Sequence, residues 1–279
     1  MSAPFELPSI WTTNSQAIIS IKGKDRAAFL HNFCTNDIKR LEINTAVEAF
    51  VPNIKGKCLG YITVFQTADE LLLVTANHKV DELVAHLERY IITEDVELSL
   101  VNAATLTLVT GESIESWLET AQPHGPIIPN HWFTQASYWL LNSVSDEHSQ
   151  VLHALSDDEV QAARITAGTP LYGTDISDEQ FAQEVNRDAL AISFTKGCYL
   201  GQEPIARIDA LGNVHWYLTR IDISEAEAKT GVTMTSEGKP IVKIRSISTL
   251  TNQALAYVKR GQHTSGSVIE TDSGIIRVL

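Results

Sequence analysis

Positive charge and cysteine are both scarce in this chain, and each scarcity excludes something. Only 21 lysines and arginines stand against 34 aspartates and glutamates, a formal net charge of −13 with a pI near 5.1. Sequence-independent grip on a nucleic-acid backbone needs a basic surface, so no direct nucleic-acid partner is expected of the chain as a whole, while a local basic groove stays open. The three cysteines, Cys34, Cys58 and Cys198, lie far apart. An odd number without a CxxC pair supplies no disulfide framework and no zinc knuckle, and fits reducing cytosol. The histidines show no HxH or HExxH spacing, so no metal site is expected. His31, His78, His86 and His215 read as surface or satisfied core residues, and Trp117, Trp132, Trp139 and Trp216 as core.

Long apolar runs are missing too. Ala17 to Ile21 and Leu71 to Val74 fall far short of the roughly 18 residues that suggest a membrane span. The opening MSAPFELPSIWTTNSQ lacks a basic region before an apolar core and lacks the arginines of a transit peptide. A soluble cytoplasmic protein with no membrane partner is expected. What is present is ordinary globular composition: 279 residues and 44% hydrophobic content, enough for one large domain or two to three small ones.

The chain opens with AIISI (17–21) as a buried strand. A helix follows from about Asp25, with Ala28, Phe29 and Phe33 on one side. Ala46 to Val51, Leu59 to Gln66 and Leu71 to Ala76 read as strands, with Ala68-Asp69 as a hairpin connection. Val80, Leu83, Val84, Leu87, Tyr90 and Ile91 recur every three or four residues, which predicts an amphipathic helix. VELSLV (96–101) closes the unit as a strand. That order resembles a ferredoxin-type unit, and it recurs: LTLV strand, ESIESWLETA helix, HWFT and SYWLLNSV strands, EHSQVLHAL helix. A helix from about Asp157 ends at Gly168, whose freedom to take positive φ suits a C-cap. From about Val214, short β-rich runs set apart by Gly, Ser, Thr and Asn predict a small antiparallel barrel or sandwich.

Between helix and barrel stands TKGCYLGQE (195–203). A thiol reacts as thiolate, and a nearby cation or backbone N–H groups lower its pKa. Lys196 sits two residues from Cys198. Gly197 and Gly201 let backbone approach a ligand closely, and Gln202 and Glu203 offer an amide and a carboxylate to the edge of a heterocycle. A glycine-rich turn around an inert cysteine is the bland alternative.

KGCYLGQEPIAR (196–207) closely resembles the KGCYxGQExxAR motif of the YgfZ family, folate-binding proteins that support iron-sulfur enzymes and are related to the GcvT aminomethyltransferase. IKGKDRAAFLHNFCTNDIKRL, NIKGKCLGYITVF, RITAGTPLYGTDI and ALAYVKRG carry the likeness more loosely along the chain. The resemblance implies an α+β fold of two ferredoxin-like lobes and a C-terminal antiparallel β-barrel, a GcvT-like three-domain ring around a folate site. The expected segments are residues 1–101 and 102–160 for the lobes, 161–211 for a loop-rich stretch holding the motif, and 212–279 for the barrel. It further implies tetrahydrofolate or a derivative as cofactor, and iron-sulfur enzymes or assembly factors as partners, including those of tRNA thiomodification. Cys198 is then the working thiol, with Lys196 holding its pKa down. Gly197, Tyr199, Gln202, Glu203 and Arg207 join Thr35, Asp37 and Asn53 around the folate, with Asn53 a better candidate than Lys55. Thr35, Asn36 and Asp37 equally fit an ordinary capping cluster. Arg207 suits either a salt bridge to Glu203 or the glutamyl tail of a folate.

Two departures bear on activity. Where the transferases carry paired aspartates after the glycine hairpin, this chain has Gly60 and Tyr61. Where their R-x-E-x-G turn presents a glutamate, Thr166 stands. Without those carboxylates a transferase lacks groups for positioning and proton handling. The departures favour an accessory folate-binding protein over an aminomethyltransferase; a protein that merely docks a partner through the glycine loop is the third reading.

Overall fold

The structure, a computed structural model, describes residues 5–101, 106–141, 144, 146–212 and 214–279. In chain order the elements begin with β1 Ser9–Thr13, β2 Gln16–Lys22, α1 Arg26–Phe33, β3 Ala46–Pro52, β4 Cys58–Gln66, β5 Leu71–Ala76, α2 Val80–Glu88 and β6 Glu97–Leu100. Next come β7 Leu106–Thr110, α3 Ile114–Ala121, β8 Ile127–Asn130, β9 Ser137–Leu140, α4 Asp146–Ser149, β10 His153–Ala154 and α5 Asp157–Ala167. A short 3-10 turn at Ala182–Val185 leads to α6 Asp188–Ala191 and α7 Gln202–Leu211. The chain ends in β11 Trp216–Ala226, β12 Thr233–Ser236, β13 Lys239–Ile247, β14 Gln253–Lys259, β15 Val268–Thr271 and β16 Gly274–Val278.

Three sheets result, ordered β3-β4-β5-β2-β6, β10-β1-β7-β9-β8 and β12-β13-β14-β11-β16-β15. The first has continuous apolar strands because both its faces are covered. Side chains alternate across a strand, so Leu71 and Leu73 join Ile19, Phe29, Leu30 and Leu83 under α1 and α2. Leu72 and Val74 on the other face meet Leu106, Leu108, Trp132 and Trp139 of the second lobe. The third sheet nearly closes on itself: Asp272 N–H donates to the Thr235 carbonyl at 2.8 Å, and Thr235 Oγ1 donates to Asp272.

Several local expectations change. Ser9–Thr13 lies in the segment expected to form the first lobe but pairs with β7 and β10 of the second sheet. HWFT (131–134) is not a strand. Asn130 Oδ1 accepts from Trp132 N at 3.0 Å and from Ser137 Oγ at 2.6 Å, folding the chain back after β8, and Trp132 and Phe133 are buried from that turn. In SYWLLNSV the described strand stops at Leu140, and residues 142 and 143 lie outside the described residues. EHSQVLHAL gives one helical turn; His153 N–H then donates to Pro8 O and pulls the chain alongside β1. The 161–211 stretch holds α7, which buries Ile205 alone, and β12 buries only Met234, so neither shows periodicity.

The barrel's outer face meets the lobes in one core, where Leu218, Leu255 and Tyr257 pack with Phe50, Ile165, Tyr172, Ile176, Tyr199 and Ile205. A fully satisfied buried bridge crosses the same junction. Arg164 donates to Asp175 Oδ2 (2.8 Å), the Thr169 carbonyl (3.0 Å) and Ser246 Oγ (2.8 Å), tying α5 to β13.

Candidate functional site

Helix α1 ends at Phe33, and the last carbonyls of a helix have no intrahelical donor. Lys196 fills that gap. It is 7% exposed, and its ammonium donates to the carbonyls of His31, Cys34 (2.7 Å) and Asn36 (2.8 Å) while lying 4.7 Å over the Tyr199 ring. A cation at a helix C-terminus also opposes the dipole. Burial pushes the Lys196 ammonium below its usual range, opposed by Cys34 and Asp37. The expected pairing with the Cys198 thiol is therefore replaced: all three Lys196 hydrogen bonds go to carbonyls around the end of α1.

The motif's second glycine answers a close approach. Gly201 adopts φ +77°, and a Cβ there would sit 2.2 Å from the Asn53 carbonyl oxygen. From the other side Gly56, at φ +74°, leaves room for Pro204 and Ile205 of α7. Asn53 shapes that hairpin, its Oδ1 accepting from Lys55 N (2.8 Å) and Lys57 N (3.1 Å). Gly197 differs: the nearest atom to its Cβ position is His31 Nε2 at 3.8 Å, an ordinary contact.

Thr35 is fully buried, donating to Ala191 O at 2.6 Å and accepting from Phe50 N at 2.9 Å. Asn36 bridges Glu48 O (2.8 Å) and Leu190 O (2.9 Å). Asp37 Oδ1 lies 3.2 Å from Nδ1 of the buried His31, whose pKa is lowered by burial and by Lys196. The Tyr199 phenol is pushed up to about 12, chiefly by burial.

The site residues thus fall into two sets. Lys196, Tyr199, Thr35, Asp37 and Asn53 are committed to holding α1, the hairpin and the motif together. Cys198, Glu203 and Arg207 are exposed and Gln202 is half-buried, and the last three make no side-chain hydrogen bond among the described residues. The Glu203–Arg207 salt bridge does not form among the described ion pairs. Cys34 and Cys58 are buried, and burial pushes both thiols up.

Sequence reasoning missed a second centre. Buried Glu48 binds Arg187 through both oxygens, Nη2 to Oε1 at 2.6 Å and Nε to Oε2 at 3.2 Å. The half-buried Tyr61 donates to Glu48 and accepts from Arg187 Nε at 3.0 Å, and His131 Nδ1 stands 3.6 Å from Glu48 Oε1. Burial would raise the Glu48 pKa, but the hydrogen bonds of His131, Arg187 and Tyr61 and the Arg187 charge outweigh it and hold it below the usual range. Only the odd glutamate inside an otherwise apolar β3, AVEAFVP, hinted at this.

Tyr61 borders a slot of about 20 Å³ with Trp132 and Tyr172. On the other side of Tyr172 opens a cleft of about 380 Å³ lined by Asn53, Lys79, His86, Arg89, Tyr90 and Asp178, among others. His86 Nε2 there is buried without a hydrogen-bond partner, and burial lowers its pKa. Thr166 is engaged with the barrel, donating to Gln253 Oε1 at 3.1 Å, while Arg220 donates to its carbonyl. Among the described residues no cluster of three metal-ligating side chains occurs, and no helix is long and apolar enough to cross a membrane.

No family model matches the chain. It is similar to curated proteins named tRNA-modifying protein YgfZ: 27% identical over 222 residues to that of Yersinia enterocolitica, covering 72% of this chain and 67% of the relative. The protein of Hamiltonella defensa is 26% identical over 219 residues, 71% and 65% of the two chains; that of Yersinia pseudotuberculosis, 27% over 210 residues, 68% and 64%. The matches therefore span about two thirds of the relatives' own length. Among solved structures, the glycine cleavage system aminomethyltransferase T of Bartonella henselae superposes with a TM-score of 0.84, covering 99% of this chain and 86% of that one at 14% identity. At that identity the likeness is one of fold. The α+β, GcvT-like class with its C-terminal barrel stands, and the resemblance to the YgfZ family reaches well beyond residues 196–207.

Proposed function

We propose that this homologue of the YgfZ proteins is a tetrahydrofolate-binding accessory protein that supports the assembly, repair or activity of iron-sulfur enzymes through the thiol of Cys198. The observation that carries the reading is the contrast among its three cysteines: Cys198 alone is exposed, on a turn whose neighbours Lys196, Tyr199 and Gly201 are locked in place. Reactive thiols need access, and buried apolar ones are inert. Cys198 also lies three residues before the Gly201 N-cap of α7, and the N–H groups of Gly197, Cys198 and Tyr199 donate to no protein acceptor among the described residues. Unpaired donors before a helix N-terminus suit a bound anion.

For the folate, the slot beside Tyr61 is too small to admit a pterin. The cleft beyond Tyr172 lies within the usual size range of ligand sites, roughly 300–1,000 Å³, and its side chains fit: Tyr90 and Tyr172 offer ring faces, Asp178 accepts pterin N–H groups, and Arg89 and Lys79 suit a glutamyl carboxylate. Bound there, tetrahydrofolate would supply a reduced pterin that can carry a one-carbon unit. With Tyr61 tied to Glu48 and Arg187, the chain presents no carboxylate at the position the transferases use.

The test is rescue of iron-sulfur enzyme activity in a bacterium lacking its own family member, at matched expression. The protein rescues and Cys198→Ala does not. Equal rescue by both would remove the thiol from the proposal; no rescue by either would remove the accessory role. Separately, iodoacetamide applied to the native protein labels a single site, and Cys198→Ala takes up no label. Fluorescence titration with tetrahydrofolate loses affinity at least tenfold in Arg89→Ala, and unchanged affinity would place the folate elsewhere.

A further inference from the structure

The charge of this chain is unevenly placed. Residues 214–279 hold eight lysines and arginines against six acids, a net +2, which leaves thirteen against twenty-eight, a net −15, for residues 1–213. Within the barrel the cations gather. Trp216 on β11 pairs in register with Lys259 on β14, and Lys243 on β13 pairs with Tyr257 of β14. Alternation puts these residues on the barrel's outer face, since Val242, Ile244, Ala256 and Val258 fill its interior. Lys243 Nζ sits 4.2 Å over the Trp216 ring. At the same end Arg260 N–H donates to the carbonyl of exposed His215, and Tyr217 stacks on His263 with centroids 3.9 Å apart and planes 9° apart. Among the described residues the barrel's one ion pair is Arg277–Glu225, so Lys243, Arg245, Lys259 and Arg260 meet no carboxylate.

Trp216, read from sequence as core, is only partly buried. At this end of the barrel, cations without counter-charges surround the part-exposed Trp216 on the outer face and the Tyr217–His263 stack on the other, while Tyr257 is buried against the lobes. That arrangement matches what single-stranded nucleic acid requires, phosphates meeting the cations and bases stacking on the part-exposed rings. An acidic protein surface would use the cations but not the rings. We infer that the β11–β13–β14 end of the barrel binds single-stranded RNA. The low expectation of nucleic-acid binding came from averaging charge over the whole chain, and the average hides this face. The inference does not rest on the Cys198 or folate reading.

The test is fluorescence anisotropy of a labelled twelve-nucleotide oligouridine with the full chain between 50 and 200 mM salt. Binding is expected, with affinity falling in a log–log slope of about −2 to −3, since each phosphate contact on a single strand contributes about −0.7. Lys259→Glu/Arg260→Glu, both exposed, weakens binding at least tenfold and flattens the slope. Trp216→Leu weakens it about five- to thirtyfold at constant slope, and Trp216→Phe restores most of it. Cys198→Ala binds as wild type. Circular dichroism and a thermal melt confirm that each variant is folded. No binding at 50 mM salt, or undiminished binding by the charge variant, overturns the inference. Equal affinity for duplex RNA overturns the single-strand assignment. Polyglutamate competing as well as RNA, with Trp216→Leu unaffected, assigns the face to an acidic protein instead.

Discussion

The turn around Cys198, here called the rim for its exposed edge, and the centre around Glu48 are built from similar materials to opposite ends. At the rim, Lys196 is sunk into the carbonyls at the end of α1 so that a neighbouring thiol can stand exposed. At the centre, Glu48, Arg187 and Tyr61 satisfy one another. The centre is a structural knot that joins β3, β4 and the chain before α6. The difference teaches that a charged cluster can be spent on structure: the groups of the Glu48 centre are taken up by one another, while the uncharged thiol stands open.

The comparison is broken most severely by Arg187→Ala. Glu48 would keep its burial and lose its bidentate partner, and removing one member of a buried pair costs about 3–5 kcal/mol. In a chain of this size that lowers Tm by about 10 °C. Tyr61→Phe removes two hydrogen bonds of the knot, to Glu48 and from Arg187, and costs about 1–2 kcal/mol, so the two variants separate the ion pair from the phenol in one set of thermal melts. An Arg187→Ala protein that melts like wild type would mean the centre is not a knot. Neither substitution changes the native-state alkylation of Cys198, because the link between the two regions, Asn36 Nδ2 donating to the Glu48 backbone carbonyl at 2.8 Å, involves neither of the substituted side chains.

The rim gives a smaller but more local contrast, between its two glycines. A methyl at Gly201 meets the Asn53 carbonyl and a strained positive φ together, whereas Gly197 has room. Gly201→Ala is expected to cost about 2–3 kcal/mol and to change the alkylation rate of Cys198 by displacing α7 from the hairpin. Gly197→Ala costs less than about 1 kcal/mol. Equal melting temperatures would show that the hairpin yields and that Gly201 is not what positions the thiol.

How much of this was legible follows from where the determinants lie. Strands buried on both faces and the helix of Val80, Leu83 and Leu87 declare themselves locally, as does Gly168 at the end of α5, where φ is +74°. The YgfZ-like motif singled out a turn that the structure holds tightly at Lys196, Tyr199 and Gly201. Its chemistry was misassigned at Lys196 because sequence proximity to Cys198 suggested a pairing, while the true partners are 160 to 165 positions away. Glu48 and Arg187 are 139 positions apart, and no spacing rule links them. Helix α7 was hidden because Gly201 and Pro204 punctuate its start, although proline is tolerated in a first turn.

The smallest effect comes from His31, which sits between the two regions' logics, buried like the centre and adjacent to the rim. Burial and the Lys196 charge lower its pKa, against the pull of Asp37. The unfolded chain therefore binds more protons than the native state between the lowered native pKa and the ordinary value of about 6.5. Stability contributed by this group rises as pH climbs through that window and is flat above it. Wild type should gain melting temperature between pH 5.5 and 7.5, and His31→Gln, which keeps a polar side chain near Asp37 but cannot titrate, should gain less. If both variants show the same pH dependence, His31 takes up its proton as easily in the folded protein as in the unfolded chain, and the Lys196 ammonium is then too well neutralised by its three carbonyls to be felt 
by its neighbour.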